Sequence, residues 1–155
     1  MIWHKNEFFI SDEKHFLDVE YISEYLSLKS YWAENIPIEL VRRSIEGSFC
    51  FGLYFKPLAD IQKATQVGFA RVVTDKATFG YLADVFIGED YRGIGLGKWL
   101  MEIIMAHPSL QGFRSWMLAT RDAHGLYAKF GFGPLEQPER IMRKHDPDIY
   151  KKPIR

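Results

Sequence analysis

The run Asp84-Val85-Phe86-Ile87 leads through Gly88-Glu89-Asp90-Tyr91 into Arg92-Gly93-Ile94-Gly95-Leu96-Gly97-Lys98. Its parts read in order as an apolar strand, a charged turn, a glycine-rich loop and the start of an amphipathic helix. Glycines at 93, 95 and 97 let the backbone come close to a ligand and leave several amides unobstructed. The helix begins inside the loop, so its unpaired N–H groups and the positive end of its dipole point at the same place. That is chemistry for an anion, with phosphate the usual occupant. Two nucleotide patterns fail on spacing. G-x-G-x-x-G read from Gly93 requires a third glycine where Lys98 stands, and G-x-x-x-x-G-K-[ST] requires glycine at Arg92 and a hydroxyl residue at Trp99. R-x-x-G-x-G fits, from Arg92 to Gly97.

Strand, Arg92-x-x-Gly95-x-Gly97 and helix together resemble the pyrophosphate loop of the GNAT superfamily, the acetyl-CoA-dependent N-acetyltransferases. A second stretch, Ala123-His124-Gly125-Leu126-Tyr127-Ala128-Lys129-Phe130-Gly131-Phe132, resembles the family pattern A-x-x-L-Y-x-x-x-G-F. The resemblance implies acetyl-CoA as co-substrate, held by Arg92, Gly93, Ile94, Gly95, Leu96, Gly97 and Lys98, with Arg92 and Lys98 adding positive charge. It implies that the strand ending in Val85, Phe86 and Ile87 splays from its neighbour and pairs through its backbone with the pantetheine arm. One of those amides would polarise the thioester carbonyl. It also implies that Tyr127 sits beside the sulfur and protonates the departing thiolate, a task open to a neutral phenol and closed to an ionised carboxylate. Thr120 stands seven residues before Tyr127, where many family members carry Asn; it either contacts the cofactor arm or, with Asp122, caps the following helix.

Direct transfer needs a neutral amine, and a lysine-like amine has a pKa of about 10.4. A base is therefore expected. Asp84 is the first candidate, an acid in an otherwise apolar strand where burial would make it a better base. The alternative is a buried acid paired with Arg71 or a backbone amide. Glu34 and His124 are weaker candidates, and Arg121 and Lys129 are outer cofactor contacts at most. Tyr31-Trp32 falls on a connector between two helices. It either caps the core or walls the acceptor site, where an amine could be held by a cation–π contact. No activated Cys or Ser constellation is visible, so the amine would attack directly. The rival from another class is a non-catalytic acyl-CoA-binding sensor or regulatory module. The acceptor, a small molecule or a peptide, is left open.

These residues need a scaffold. In order, the pattern predicts a strand over 7–11, helices over 16–28 and 38–46, and a meander of strands over 48–55, 66–74 and 79–87, with a polar connector over 56–65. A helix over 95–106, a strand over 113–119 parallel to 79–87, a short helix over 123–130 and a last strand near 140–144 follow, and the tail at 151–153 reads as frayed. The fold class is α/β (α+β), GNAT-like, with a mixed, mostly antiparallel sheet and helices on both faces in the order β-α-α-β-β-β-α-β-α-β. The 155 residues suit one domain over 1–155. Twenty basic against twenty acidic residues argue for neither a nucleic-acid partner nor a membrane surface. Neutrality is compatible with a homodimer. The single cysteine, Cys50, excludes an intrachain disulfide and a zinc cluster, so no metal is expected. No long apolar segment or signal-type h-region is present, and a cytoplasmic setting is expected.

Overall fold

Alternating apolar residues build a six-stranded sheet, and helical periodicity lays helices on each face of it. The computed structural model describes residues 1–57 and 64–152. Strands β1 (Ile2–Lys5) and β2 (Phe8–Ser11) form an antiparallel hairpin across Asn6, whose φ is 54°. β1 was not expected. It is an edge strand that is mostly exposed, so it carries no inward-facing alternation to read. A 3-10 turn at Lys14–Phe16 precedes helix α1 (Val19–Lys29), which starts later than expected because Asp18 caps it, its carboxylate accepting the Tyr21 N–H at 3.0 Å. Pro37 opens α2 (Ile38–Glu46), the helix expected there.

Strands β3 (Phe49–Phe55), β4 (Thr65–Thr74) and β5 (Phe79–Ile87) form the antiparallel meander. Most of the polar connector expected between β3 and β4 lies outside the described residues. Helix α3 (Leu96–Ala106) carries the chain across to β6 (Ser115–Leu118), which pairs parallel to β5, and α4 (His124–Ala128) follows. The sheet order is β1 to β6 in sequence order, and β5–β6 is its parallel pair.

The expected strand near 140–144 is not formed. A 3-10 turn occupies Pro138–Arg140 and the following residues are irregular. Ile141 and Met142 there are 47% and 95% exposed, so a strand would bury almost nothing. The observed order is β-β-α-α-β-β-β-α-β-α, with the fold class as expected. Nor is the tail loose through Lys152. Lys151 pairs with Asp148 at 2.9 Å and Lys152 with Asp146 at 2.6 Å; residue 153 lies outside the described residues.

The sheet separates two apolar clusters. On one face Cys50, Phe69 and Phe86 pack with Ile22, Tyr25 and Leu26 of α1 and with Val41 and Ile45 of α2. On the other, Phe51, Leu53, Val72 and Leu82 pack with Leu96, Leu100, Met101 and Ile104 of α3 and with Tyr127. Leu82 and Phe86 are an even number of residues apart, yet they serve opposite faces. The cause is a β-bulge: Phe69 pairs with Phe86 and Arg71 with Ala83, so β4 spends one residue where β5 spends two, Asp84 and Val85. Asp84 takes φ 53° to do so, a conformation rare outside glycine and typical of bulges that re-aim a strand.

Candidate active site

The bulge decides where the sheet opens. β5 and β6 are in register from Phe79–Ser115 to Leu82–Leu118. Beyond Leu82 the β6-facing edge of β5 has no strand partner among the described residues. A cavity of about 630 Å³ occupies the gap. It is lined by Trp32, Arg71 and Asp84 from the α1/α2 face and by Ala123 and Tyr127 from the α3 face, with Val85, Ala119 and Thr120 at the diverging strand ends. Access from both faces is possible only where the ladder has stopped.

Tyr127 comes from α4. Its ring is 8% exposed and meets Phe132 edge-on at 6.2 Å, so the short helix and the turn after it fix its direction. Its hydroxyl makes no hydrogen bond among the described residues. Burial, helped by Tyr31 and Asp122 nearby, pushes its pKa up to about 12. The phenol is neutral at physiological pH and holds a proton that nothing else competes for. Cys50 differs. Burial pushes that thiol up to about 11 and both of its sulfur contacts are to backbone carbonyls, so it is a small core residue.

Asp84 is not isolated. One carboxylate oxygen accepts Arg71 Nε–H at 2.8 Å and the other accepts Trp32 Nε1–H at 2.9 Å. Arg71 also donates to Ser48 Oγ at 3.1 Å. The pairing with Arg71 is the alternative that the sequence left open, and it removes the isolation on which the base role rested. Tyr31 and Trp32 meet edge-on at 5.0 Å, and both line the cavity. The Arg121 guanidinium lies 4.0 Å over the Tyr31 ring, and the Arg121 backbone N–H donates to the Tyr31 hydroxyl at 2.8 Å. That face of Tyr31 is therefore taken, and Trp32 is the aromatic left to an acceptor.

The glycine loop is built from backbone. Gly93 and Gly95 take φ of 79° and 84°, and a Cβ at either would meet no protein atom within 4 Å. Their constraint is the left-handed backbone, and the space before them is open. None of the N–H groups of residues 93–98 donates a hydrogen bond among the described residues; the first that does is Trp99, to Gly95 O at 3.0 Å. A row of free amides at a helix start fits a pyrophosphate. The side chains contribute less than expected. Arg92 turns back, donating from Nε to Ile87 O at 3.0 Å and from Nη2 to the Tyr25 hydroxyl at 2.6 Å. Lys98 is exposed and pairs with Glu102 at 3.8 Å. Ile94 is exposed at the tip and Leu96 is buried in the core. A Cβ at Gly97 would lie 3.8 Å from Ile87 and from Leu126. Val85 and Ile87 are half-buried, and Phe86 is stacked on Tyr25 at 3.8 Å, so Phe86 offers a ligand only its backbone.

Thr120 lines the cavity, and its Oγ1 accepts the Ala123 N–H at 3.0 Å in the turn ahead of α4, whose N-cap is Ala123 and carries no side-chain cap. His124 and Lys129 are exposed and do not line the cavity, and Glu34 lines a second cavity of about 690 Å³ beside it. Sequence reasoning missed Arg43 of α2, together with Arg143 and Tyr150 of the tail, which line the first cavity. A tail read as a strand and a frayed end gave no reason to bring them there. Among the described residues no cluster of His, Cys, Asp or Glu is placed to hold a metal ion, and no helix is long and apolar enough to cross a membrane.

A split parallel pair, a free-amide loop and a buried tyrosine at the split are parts that suit acyl transfer. Comparison with known proteins agrees. The profile of the acetyltransferase (GNAT) domain matches residues 58–134. A protein of Gibberella zeae, provisionally named an acetyltransferase, is 33% identical over 142 residues, spanning 82% of this chain and 79% of its own. The crystal structure of a provisionally named GNAT-family acetyltransferase from Xanthomonas campestris pv. campestris is 44% identical, with a TM-score of 0.86 over 94% of this chain and 97% of that one. Glucosamine-6-phosphate N-acetyltransferase from Arabidopsis thaliana, 18% identical with a TM-score of 0.59 over 89% of this chain and 97% of its own, shares the fold. The chain belongs to the GNAT family and is an acetyltransferase of that type, a family that uses acetyl-CoA.

Proposed function

We propose that the protein transfers an acetyl group directly to a primary amine of a small molecule or peptide, with Tyr127 as the general acid. The observation that carries the reading is the neutral, unbonded Tyr127 hydroxyl in a cavity open to both faces of the sheet at the end of the β5–β6 ladder. When bound, acetyl-CoA supplies the activated thioester. The amides of residues 93–98 would hold its pyrophosphate, and the free edge of β5 at Val85–Ile87 would orient the arm and the carbonyl. Tyr127 holds its proton at the hydroxyl for a departing thiolate. Asp84 is already hydrogen-bonded through both oxygens, and its carboxylate serves to fix Trp32 and Arg71 on the wall of the site. The amine proton then leaves through water in the cavity. The reading needs neither a metal nor a nucleic-acid or membrane partner, and a buried free thiol suits a cytoplasmic setting.

The test joins calorimetric titration with acetyl-CoA to turnover on a panel of primary amines. One-site binding and acetylation that Tyr127→Phe depresses at unchanged acetyl-CoA affinity support the reading. Binding without turnover on any amine would point instead to a non-catalytic acyl-CoA-binding module.

A further inference from the structure

Three arginines line the cavity: Arg43, Arg71 and Arg143. Arg71 is neutralised by Asp84. Neither Arg43 nor Arg143 has a carboxylate within ion-pair distance among the described residues. The nearest recorded polar partner of Arg143 is His145 Nδ1 at 2.9 Å. Asp122 is the one other acid on the wall, so the lining carries a net positive charge although the chain as a whole is neutral. The two cations come from distant parts of the chain, the last turn of α2 and the tail, and the fold brings both to the cavity that holds Tyr127. The second cavity shares Arg143 with this one and adds Arg121 and Lys144 to its wall, against Glu34 and Asp146, and Asp146 is taken by Lys152. The Trp32 ring suits an amine; Arg43 and Arg143 suit an anion.

Resting on the acetyl-transfer reading, we infer that the acceptor carries an anionic group, a carboxylate or a phosphate, on the same molecule as its amine, and that Arg43 and Arg143 bind that group. The two are specificity-determining residues and take no part in the chemistry. An amine without an anion would leave both guanidinium groups without a counter-charge, and one with a second cation would be repelled.

The experiment uses matched pairs, β-alanine with its amide and O-phosphoethanolamine with ethanolamine. Each is tested in two ways: as an acetyl acceptor, and by calorimetric titration into the protein saturated with CoA. At least one anionic member is expected to bind about tenfold or more tightly than its neutral partner, the effect of a charge-assisted contact; which pair responds distinguishes carboxylate from phosphate. The double variant Arg43→Gln/Arg143→Gln should bring that ratio close to one, and Arg43→Lys/Arg143→Lys should restore part of it. Melting curves check that the variants fold. No preference for either anionic member, or a preference that survives in the Gln double variant, overturns the inference. Arginine-dependent binding of an anionic probe with no acetylation of any amine sustains Arg43 and Arg143 as an anion subsite and instead overturns the primary-amine acceptor reading.

Discussion

The two sides of the cleft are made of different material. On the loop side the surface offered to a ligand is backbone: free amides of residues 93–98, left-handed glycines, and side chains that turn away, as Arg92 does toward Tyr25 and Ile87. On the acceptor side it is side chain: Trp32 and Arg71 on Asp84, Ser48 on Arg71, Arg121 on Tyr31. A backbone surface recognises what every acetyl-CoA presents and is indifferent to most substitutions that keep φ. A side-chain surface is specific and fails one residue at a time. The cofactor half is therefore expected to respond to shape, and the acceptor half to chemistry.

The largest effect should come from the acceptor half. Tyr127→Phe removes the proton donor and keeps the ring packing, so kcat should fall by roughly 10²–10⁴ with acetyl-CoA affinity nearly unchanged by calorimetry; an unaltered kcat would remove the tyrosine from the mechanism. Next, Asp84→Ala leaves the part-buried Arg71 guanidinium without its anion and Trp32 without its acceptor. A loss of about 3 kcal/mol of stability is expected, read by denaturant unfolding, and a near-neutral result would mean that the network is not cooperative. Gly95→Val attacks the other half. A β-branched residue at φ 84° should cost about 1–2 kcal/mol and weaken acetyl-CoA binding, while Lys98→Ala, at an exposed side chain, should change affinity far less. If Lys98→Ala were the more damaging, the view of the loop as backbone recognition would fail. The pH profile sharpens the contrast further. Tyr127 is lifted from about 10 toward 12 by burial, and the active form is the protonated one, so kcat should show no Tyr127-dependent decline through pH 10 and should lose activity to phenolate formation only as pH approaches 12. The smallest effect belongs to neither half. The Tyr54 hydroxyl is buried without a partner among the described residues, so Tyr54→Phe should leave stability unchanged or raise it by about 1 kcal/mol.

The same division governs what could be read from the chain. The loop was legible because glycines have few reasons to alternate in that way ahead of a helix, and β5 and α2 were legible because their periodicity is bounded by turn residues and by Pro37. The tyrosine position followed from the pattern around Leu126 and Gly131. The acceptor half was legible only in fragments. Tyr31, Trp32 and Asp84 could be singled out by type, but their mutual bonding depends on residues 52 positions apart meeting across a sheet face. Arg43 and Arg143 carried no local signal, because a surface arginine at a helix end or in a tail is ordinary. Residues 140–144 set the apolar pair Ile141-Met142 between basic residues, and nothing in so short a run reveals that no sheet edge takes it up. β1 failed for the converse reason: it is held by hairpin hydrogen bonds and buries too little to pattern its side chains.

The surplus residue in β5 has a consequence beyond the site. Deleting one residue at 84–85 would leave Leu82 and Phe86 three positions apart, the spacing of an unbulged strand. Plain alternation would then keep Phe86 against Tyr25 and Leu82 on the α3 face, while the strand would lose the bulge and the turn of Asp84 that go with the opening of the cleft. What separates a continuous sheet from one with a slot is thus a matter of arithmetic. In this strand, length mutations should be more damaging than most changes of residue, and a search for relatives that still work would do better to count positions between Arg71 and Arg92 than to ask which side chains fill them.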